Sequence, residues 1–166
     1  MSARHVISFP IEGQRFNFRV AGVIIVDGHV LVCREDDDGY TMLPGGRIEL
    51  GEPSGLSLER EMEEELAMPA NIGPMIATSE SFYRREDEDF HELGFFYEVN
   101  LPGQAPNGAS PWLQRPDEGH ILSFYWVPLE RGELERFNLL PRWLPDFLRN
   151  LPDAQVHIAH DERGPA

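Results

Sequence analysis

Short apolar runs separated by turn-forming residues dominate this chain, a rhythm that predicts mostly strands. Residues 6–12 (VISFPIE) predict a short strand that Pro10 confines to a sheet edge. Phe16, Phe18 and Val20 alternate with polar residues and run into residues 21–26 (AGVIIV), a strand with a buried centre. Asp27-Gly28 reads as a two-residue hairpin turn, because both residues tolerate positive φ, and residues 29–34 (HVLVCR) return as the partner strand. Residues 40–43 lead into Pro44-Gly45-Gly46, which breaks a helix and permits unusual backbone angles. There the period changes. Pro53 and Ser54 open a helix in which Leu58, Met62 and Leu66 share one apolar face, and Pro69 marks its end. Residues 76–83 and 91–99 predict two further strands around a charged turn at 84–89. Residues 103–117, rich in Pro, Gly, Asn and Ser, read as a long loop. Residues 121–127 (ILSFYWV) form another buried strand, closed by Pro128. Residues 140–151 (LPRWLPDFLRNL) predict a C-terminal helix with Trp143, Phe147 and Leu151 on one face. The tail from Pro152 is polar and reads as loose, apart from a short strand at 156–159.

The bulk numbers narrow the setting. A length of 166 residues suits one domain with a real core, expected over 1–152 with 153–166 as a polar C-terminal tail. The excess of 29 acidic over 14 basic residues gives a formal charge of −15, which repels nucleic acid and anionic membrane and attracts divalent cations. No nucleic-acid partner is therefore expected, and a phosphate-bearing ligand would need local positive charge. The single cysteine, Cys33, has no partner for an internal disulfide and lies in an apolar run, as a core residue of a cytoplasmic protein would. Residues 1–10 lack a signal-peptide pattern, and no apolar segment approaches membrane-spanning length.

The candidate chemistry lies in residues 43–68 (LPGGRIELGEPSGLSLEREMEEELAM). Glu61, Glu64 and Glu65 stand at i, i+3 and i+4, so their side chains share one helix face beside the apolar stripe. Such like charges repel unless a hard cation binds them, and magnesium takes a few carboxylates while keeping waters and substrate phosphates. Arg60 can reach back to Glu52 or hold Glu61. A solvated acidic helix face is the bland reading of the glutamates taken alone. The spacing of Gly46, Glu52 and Arg60 argues against it.

Those residues resemble the Nudix box: glycine, five residues, glutamate, seven residues, then Arg-Glu-apolar, one residue, Glu-Glu, one residue, and Gly-apolar. Gly46, Glu52, Arg60, Glu61, Met62, Glu64, Glu65 and Met68 fall on the pattern, whereas Ala67 replaces the last glycine, which commonly serves the helix exit. The order of elements over roughly residues 16–130 is similar to that family, most of all to its small stand-alone bacterial hydrolases. The resemblance implies an α+β fold, an α/β/α sandwich around a mixed sheet, and hydrolysis of a nucleoside diphosphate linked to another moiety. It implies Mg2+, or Mn2+, held by Glu64 and Glu65 with help from Glu61 and the Gly45 carbonyl. Glu61 would hold metal or activate the attacking water, Arg60 would orient it, and Gly46 and Glu52 would be structural. Glu118 sits where some members place a general base, and reads otherwise as a plain loop acid. Dimers are common in the family, so a homodimer is among the expectations.

Arg34, Arg84 and Arg85 are candidates for phosphate contacts, with Arg34 expected to face the glycine turn. Phe82, Tyr83 and Phe90 could stack a base, and either His91 or Glu92 could point into the cleft. His157, His160 and Asp161 read as tail residues before a metal site, and the acidic turn at 36–39 as solvated before a calcium loop. The competing functions are a housecleaning pyrophosphatase of oxidised or non-standard nucleoside triphosphates and a catalytically silent nucleotide-sensing module.

Overall fold

The computed structural model describes residues 4–164, so the first three residues of the expected domain and the last two of the tail lie outside it. Among the described residues, ten strands and three helices follow one another. They are β1 (Ser8–Ile11), β2 (Gln14–Val23), β3 (Ile25–Val26), β4 (His29–Glu35), β5 (Gly45–Arg47), α1 (Ser54–Leu66), β6 (Asn71–Arg85) and β7 (Glu88–Asn100). After them come β8 (Leu113–Asp117), β9 (His120–Pro128), α2 (Arg131–Arg136), α3 (Leu144–Arg149) and β10 (Val156–Asp161). The larger sheet runs β1-β2-β7-β6-β10, with β5 also pairing β2. It is mixed: β2–β7 and β6–β10 are parallel, the other pairs antiparallel. The smaller sheet, β3-β4-β9-β8, is antiparallel throughout.

Period-2 alternation sends neighbouring strand residues to opposite faces, so each sheet serves two cores. Val20 and Leu31 join the cluster under α1, with Leu58, Met62 and Leu66 of the predicted stripe. Ala21, Val30 and Val32 join the cluster under α2 and α3, with Leu134, Leu144 and Leu148. Helices therefore cover both faces, as the α+β expectation of a mixed sheet between helices requires. Each of the three α1 stripe residues is essentially solvent-free, worth about 1.5–3 kcal/mol apiece.

Both residues of the Asp27-Gly28 turn have positive φ, as do Glu86 and Asp87 in the tight turn that joins β6 to β7. Four expectations need correction. The 103–117 loop contains β8, whose Leu113–Asp117 ladder with β9 outweighs a Pro-containing sequence at the sheet edge. The single C-terminal helix is broken into irregular chain and the short α3, since prolines at 141 and 145 remove backbone donors. The helix α2 was not visible, because a six-residue stretch with Gly132 and one buried leucine carries almost no periodicity. Strand β6 begins at Asn71, five residues early, because register shifts between Ile72 and Ala77 accommodate Pro74. The strand expected at 156–159 extends to Asp161 and pairs in parallel with β6. Among the described residues, no helix is long and apolar enough to cross a membrane.

Candidate active site

The helix α1 leaves its box residues at the mouth of a cleft because its apolar stripe fixes its rotation. With Leu58, Met62 and Leu66 inward, Glu61 and Glu65 fall one step around the helix, against β5. The helix ends at Ala67, which adopts the left-handed conformation (φ 52°, ψ 37°) and donates its N–H to the Glu63 carbonyl. Termination thus occurs two residues before Pro69, and alanine makes the turn usually given to glycine.

Arg60 is the hub. Its Nε and Nη2 donate to the two carboxylate oxygens of Glu52 at 3.0 and 2.9 Å, and its Nη1 donates to Glu61 Oε1 at 2.7 Å. The Arg60 hydrogen bonds hold Glu52 below the usual carboxylate range. Glu61 is 9% exposed and is pushed up by burial, against the pull of Arg60. Both glycines are explained by contact. A Cβ at Gly46 would stand 2.4 Å from Glu61 Cδ, and one at Gly45 (φ +153°) would stand 2.1 Å from the Val20 carbonyl oxygen. Glycine at 46 therefore makes room for a carboxylate, and glycine at 45 for the β2 backbone.

Glu65 carries the strongest metal signal. Its Oε2 is shut off from solvent and has no hydrogen-bonding partner among the described residues. Burial pushes its pKa well above the usual carboxylate range, with the Glu61 charge adding to it, while Arg19 and the Gly45 amide work the other way. A hard cation is the partner that such an oxygen lacks. Glu64 is more exposed and is held by Arg4, through a very short contact, and by Arg60 Nη1 at 3.5 Å. Arg60 Nη1 thus stands between Glu61 and Glu64 and contacts both. Among the described residues, the trio of acidic and histidine ligand atoms within 4.8 Å of one another is the exposed Glu35, Asp36 and His120.

The cleft measures about 740 Å³ and shares lining residues, among them Arg19, Tyr83 and Glu92, with a second, more apolar cavity of about 300 Å³. Gly45, Gly46, Glu61, Glu65 and Glu118 line the first. Glu118 lies there on the β8–β9 turn, with positive φ. Tyr83 lines both cavities, stacks on Phe90 (centroids 4.9 Å apart) and donates to Glu92 Oε2 at 3.1 Å. Glu92 faces the cleft, whereas Phe82 and His91 pack together on the opposite face. Arg84 reaches the second cavity but is tied to Asp89 at 2.8 Å. Arg85 lines both cavities and lies over the Tyr40 ring.

The expectation for Arg34 is corrected. Cys33 and Glu35 line the cleft, so strand alternation turns Arg34 to the other face, over the rings of Tyr125 and Phe137. Burial pushes the Cys33 thiol up, which disfavours a nucleophilic thiolate. Sequence reasoning missed Arg19, Tyr40, Arg47 and Asp117, all of which line the cleft. Alternation from Ala21 could have found Arg19, but the others depend on loop paths.

A model of the NUDIX domain matches residues 17–149, most of the chain. Among curated proteins, none matches. The fold is similar to a NUDIX hydrolase from Nitrosomonas europaea, with TM-score 0.59 at 15% identity over 98% of this chain and 97% of that one. It is also similar to a MutT protein from Methanosarcina mazei Go1, with TM-score 0.58 at 18% identity over 86% and 96% of the two chains. An ADP-ribose pyrophosphatase from Streptococcus suis has TM-score 0.54 at 12% identity over 86% and 98%. Box, cleft and domain match agree, and the chain belongs to the Nudix family as a Nudix hydrolase.

Proposed function

We propose that this hydrolase uses Mg2+, with Mn2+ as a substitute, to cleave the pyrophosphate bond of a nucleoside diphosphate linked to another moiety. The observation that carries the reading is the solvent-free oxygen of Glu65, unpartnered among the described residues, in a cleft that shares a wall with a second cavity. Nudix hydrolases act on nucleotide derivatives and generally use a divalent metal. Glu61, Glu64, Glu65 and the Gly45 carbonyl are the donors assigned to it, all hard oxygens suited to magnesium. When bound, the metal neutralises the diphosphate and the charge that develops on the departing phosphate.

The chain's own residues do the rest. Arg60 fixes Glu61 through the 2.7 Å bond and is itself anchored by Glu52. Burial holds the Glu61 carboxyl above the usual carboxylate range, which makes it a better proton acceptor and suits activation of an attacking water. Glu118 is the other candidate base, reaching the same cleft from the β8–β9 turn. The second cavity supplies an apolar wall from Ala21, Leu43, Phe96 and Leu144 for the organic part of the substrate. Tyr83 and Phe90 offer a stacked aromatic surface beside it. The lone Cys33 supports a cytoplasmic setting.

The test is product release with magnesium over nucleoside triphosphates, nucleotide sugars, ADP-ribose and dinucleoside polyphosphates, beside a Glu64→Gln, Glu65→Gln variant. Turnover of a nucleoside diphosphate derivative, lost in the variant, is expected. Release of pyrophosphate from triphosphates alone would move the function to a housecleaning pyrophosphatase, and binding with no turnover would move it to a sensing module.

A further inference from the structure

Two arginines face each other across the β2–β5 ladder. Arg19 and Arg47 are register partners, so their side chains leave the sheet on the same side, and both line the acidic cleft. Neither has a carboxylate in ion-pair range among the described residues, although the same cleft holds Glu61, Glu65, Asp117 and Glu118. Arg60, by contrast, is fully engaged with carboxylates. Arg19 spends one donor on the Leu43 carbonyl at 3.0 Å, which leaves most of its five N–H groups free. Its partner on β7 is Gly94, so no side chain crowds it from that strand.

Like charges directly opposite each other in a sheet are destabilising, and the cleft carboxylates act on this pair only from beyond ion-pair range among the described residues. A doubly charged oxyanion between the two guanidiniums would offset the repulsion. Position sharpens the assignment: Arg19 lines both cavities, whereas Arg47 lines only the metal-side cleft. We propose that Arg19 and Arg47 form a two-armed clamp for one phosphoryl group of the substrate, the one joined to the organic part in the second cavity. Arg19 then decides which phosphate can stand over the α1 carboxylates. The proposal rests on the pyrophosphohydrolase reading above.

Binding of ADP and of inorganic pyrophosphate, each with Mg2+, tests the clamp by calorimetry in wild type, Arg19→Gln, Arg47→Gln and the double variant. Mn2+ affinity by electron paramagnetic resonance and thermal unfolding are measured on the same proteins. Each single change should weaken both probes by roughly 10-fold or more, the worth of a charge-assisted hydrogen bond. Mn2+ affinity should stay within about 2-fold and the unfolding temperature should hold or rise, because like-charge repulsion has been removed. Unaltered probe binding in the double variant would overturn the clamp and leave the hydrolase reading intact. A loss of Mn2+ affinity equal to the loss of probe would also overturn it, since the arginines would then act through the carboxylates. Wild type that binds neither probe would sink the clamp and the hydrolase reading together.

Discussion

Alanine at Gly46 should cost mainly activity, and alanine at Gly45 should cost mainly stability. At Gly46 the added methyl would lie 2.4 Å from Glu61 Cδ and 2.5–2.6 Å from its oxygens. Ordinary contact needs about 3.5 Å, so the carboxylate must retreat by roughly 1 Å. Only a side chain blocks the way, and Gly46 does not hold a positive φ, so the backbone tolerates the change. The retreat breaks the 2.7 Å bond to Arg60, a loss of about 1–2 kcal/mol, or a few degrees in Tm for a chain of this size. Displacement of a reacting group by that distance is worth about 100-fold in kcat/KM. At Gly45 the methyl would meet Val20 O at 2.1 Å and Ala21 Cα at 2.8 Å, from a φ of +153°. Both atoms belong to β2, so relief means opening the β2–β5 ladder, at about 3 kcal/mol or more. Circular-dichroism melts and kcat/KM, on whichever panel substrate turns over, separate the two. If Gly46→Ala keeps wild-type turnover, the Glu61 carboxylate is not tied to the chemistry. If it melts as early as Gly45→Ala, the glycine serves packing instead.

Three further outcomes follow from the same geometry. Arg60→Lys should lower kcat/KM by about 10-fold or more, because one ammonium cannot bridge Glu52 and Glu61, while stability falls by only about 1 kcal/mol in this partly exposed network; full activity in that variant would refute the hub role. Ala67→Gly should raise stability by up to about 1 kcal/mol, since the left-handed conformation penalises alanine by roughly 1–2 kcal/mol and glycine's unfolded-chain entropy returns part of it; an unchanged melting temperature would count against it. Burial raises the pKa of folded Glu65 above its unfolded value, so metal-free protein is favoured below the ordinary glutamate range and loses that advantage as pH rises through the raised value. Glu65→Gln removes the slope, so its melting temperature minus that of wild type should grow in chelator as pH rises above the ordinary glutamate range, and a flat difference would refute the assignment.

The sequence alone determined the box and its rotation. Period 3.6 put Leu58, Met62 and Leu66 inward, and the same arithmetic left Glu61 and Glu65 beside them. Local backbone chemistry likewise located the Asp27-Gly28 hairpin and the strands on either side. These features depend on neighbours a few residues away, so a linear reading reaches them.

What the tertiary structure decided was everything set by register and by long-range pairing. Arg34 was turned away from the cleft, on the strand face opposite Cys33 and Glu35, and Arg19 was turned into it, on the same face of β2 as Ala21. Arg19 and Arg47 are 28 positions apart and meet only because β5 pairs β2. Asp117 and Glu118 reach the site because a loop-like sequence is held to β9 as β8. A two-residue side-chain period makes each such outcome hinge on a single step of register, and that step is fixed by the packing of the whole sheet.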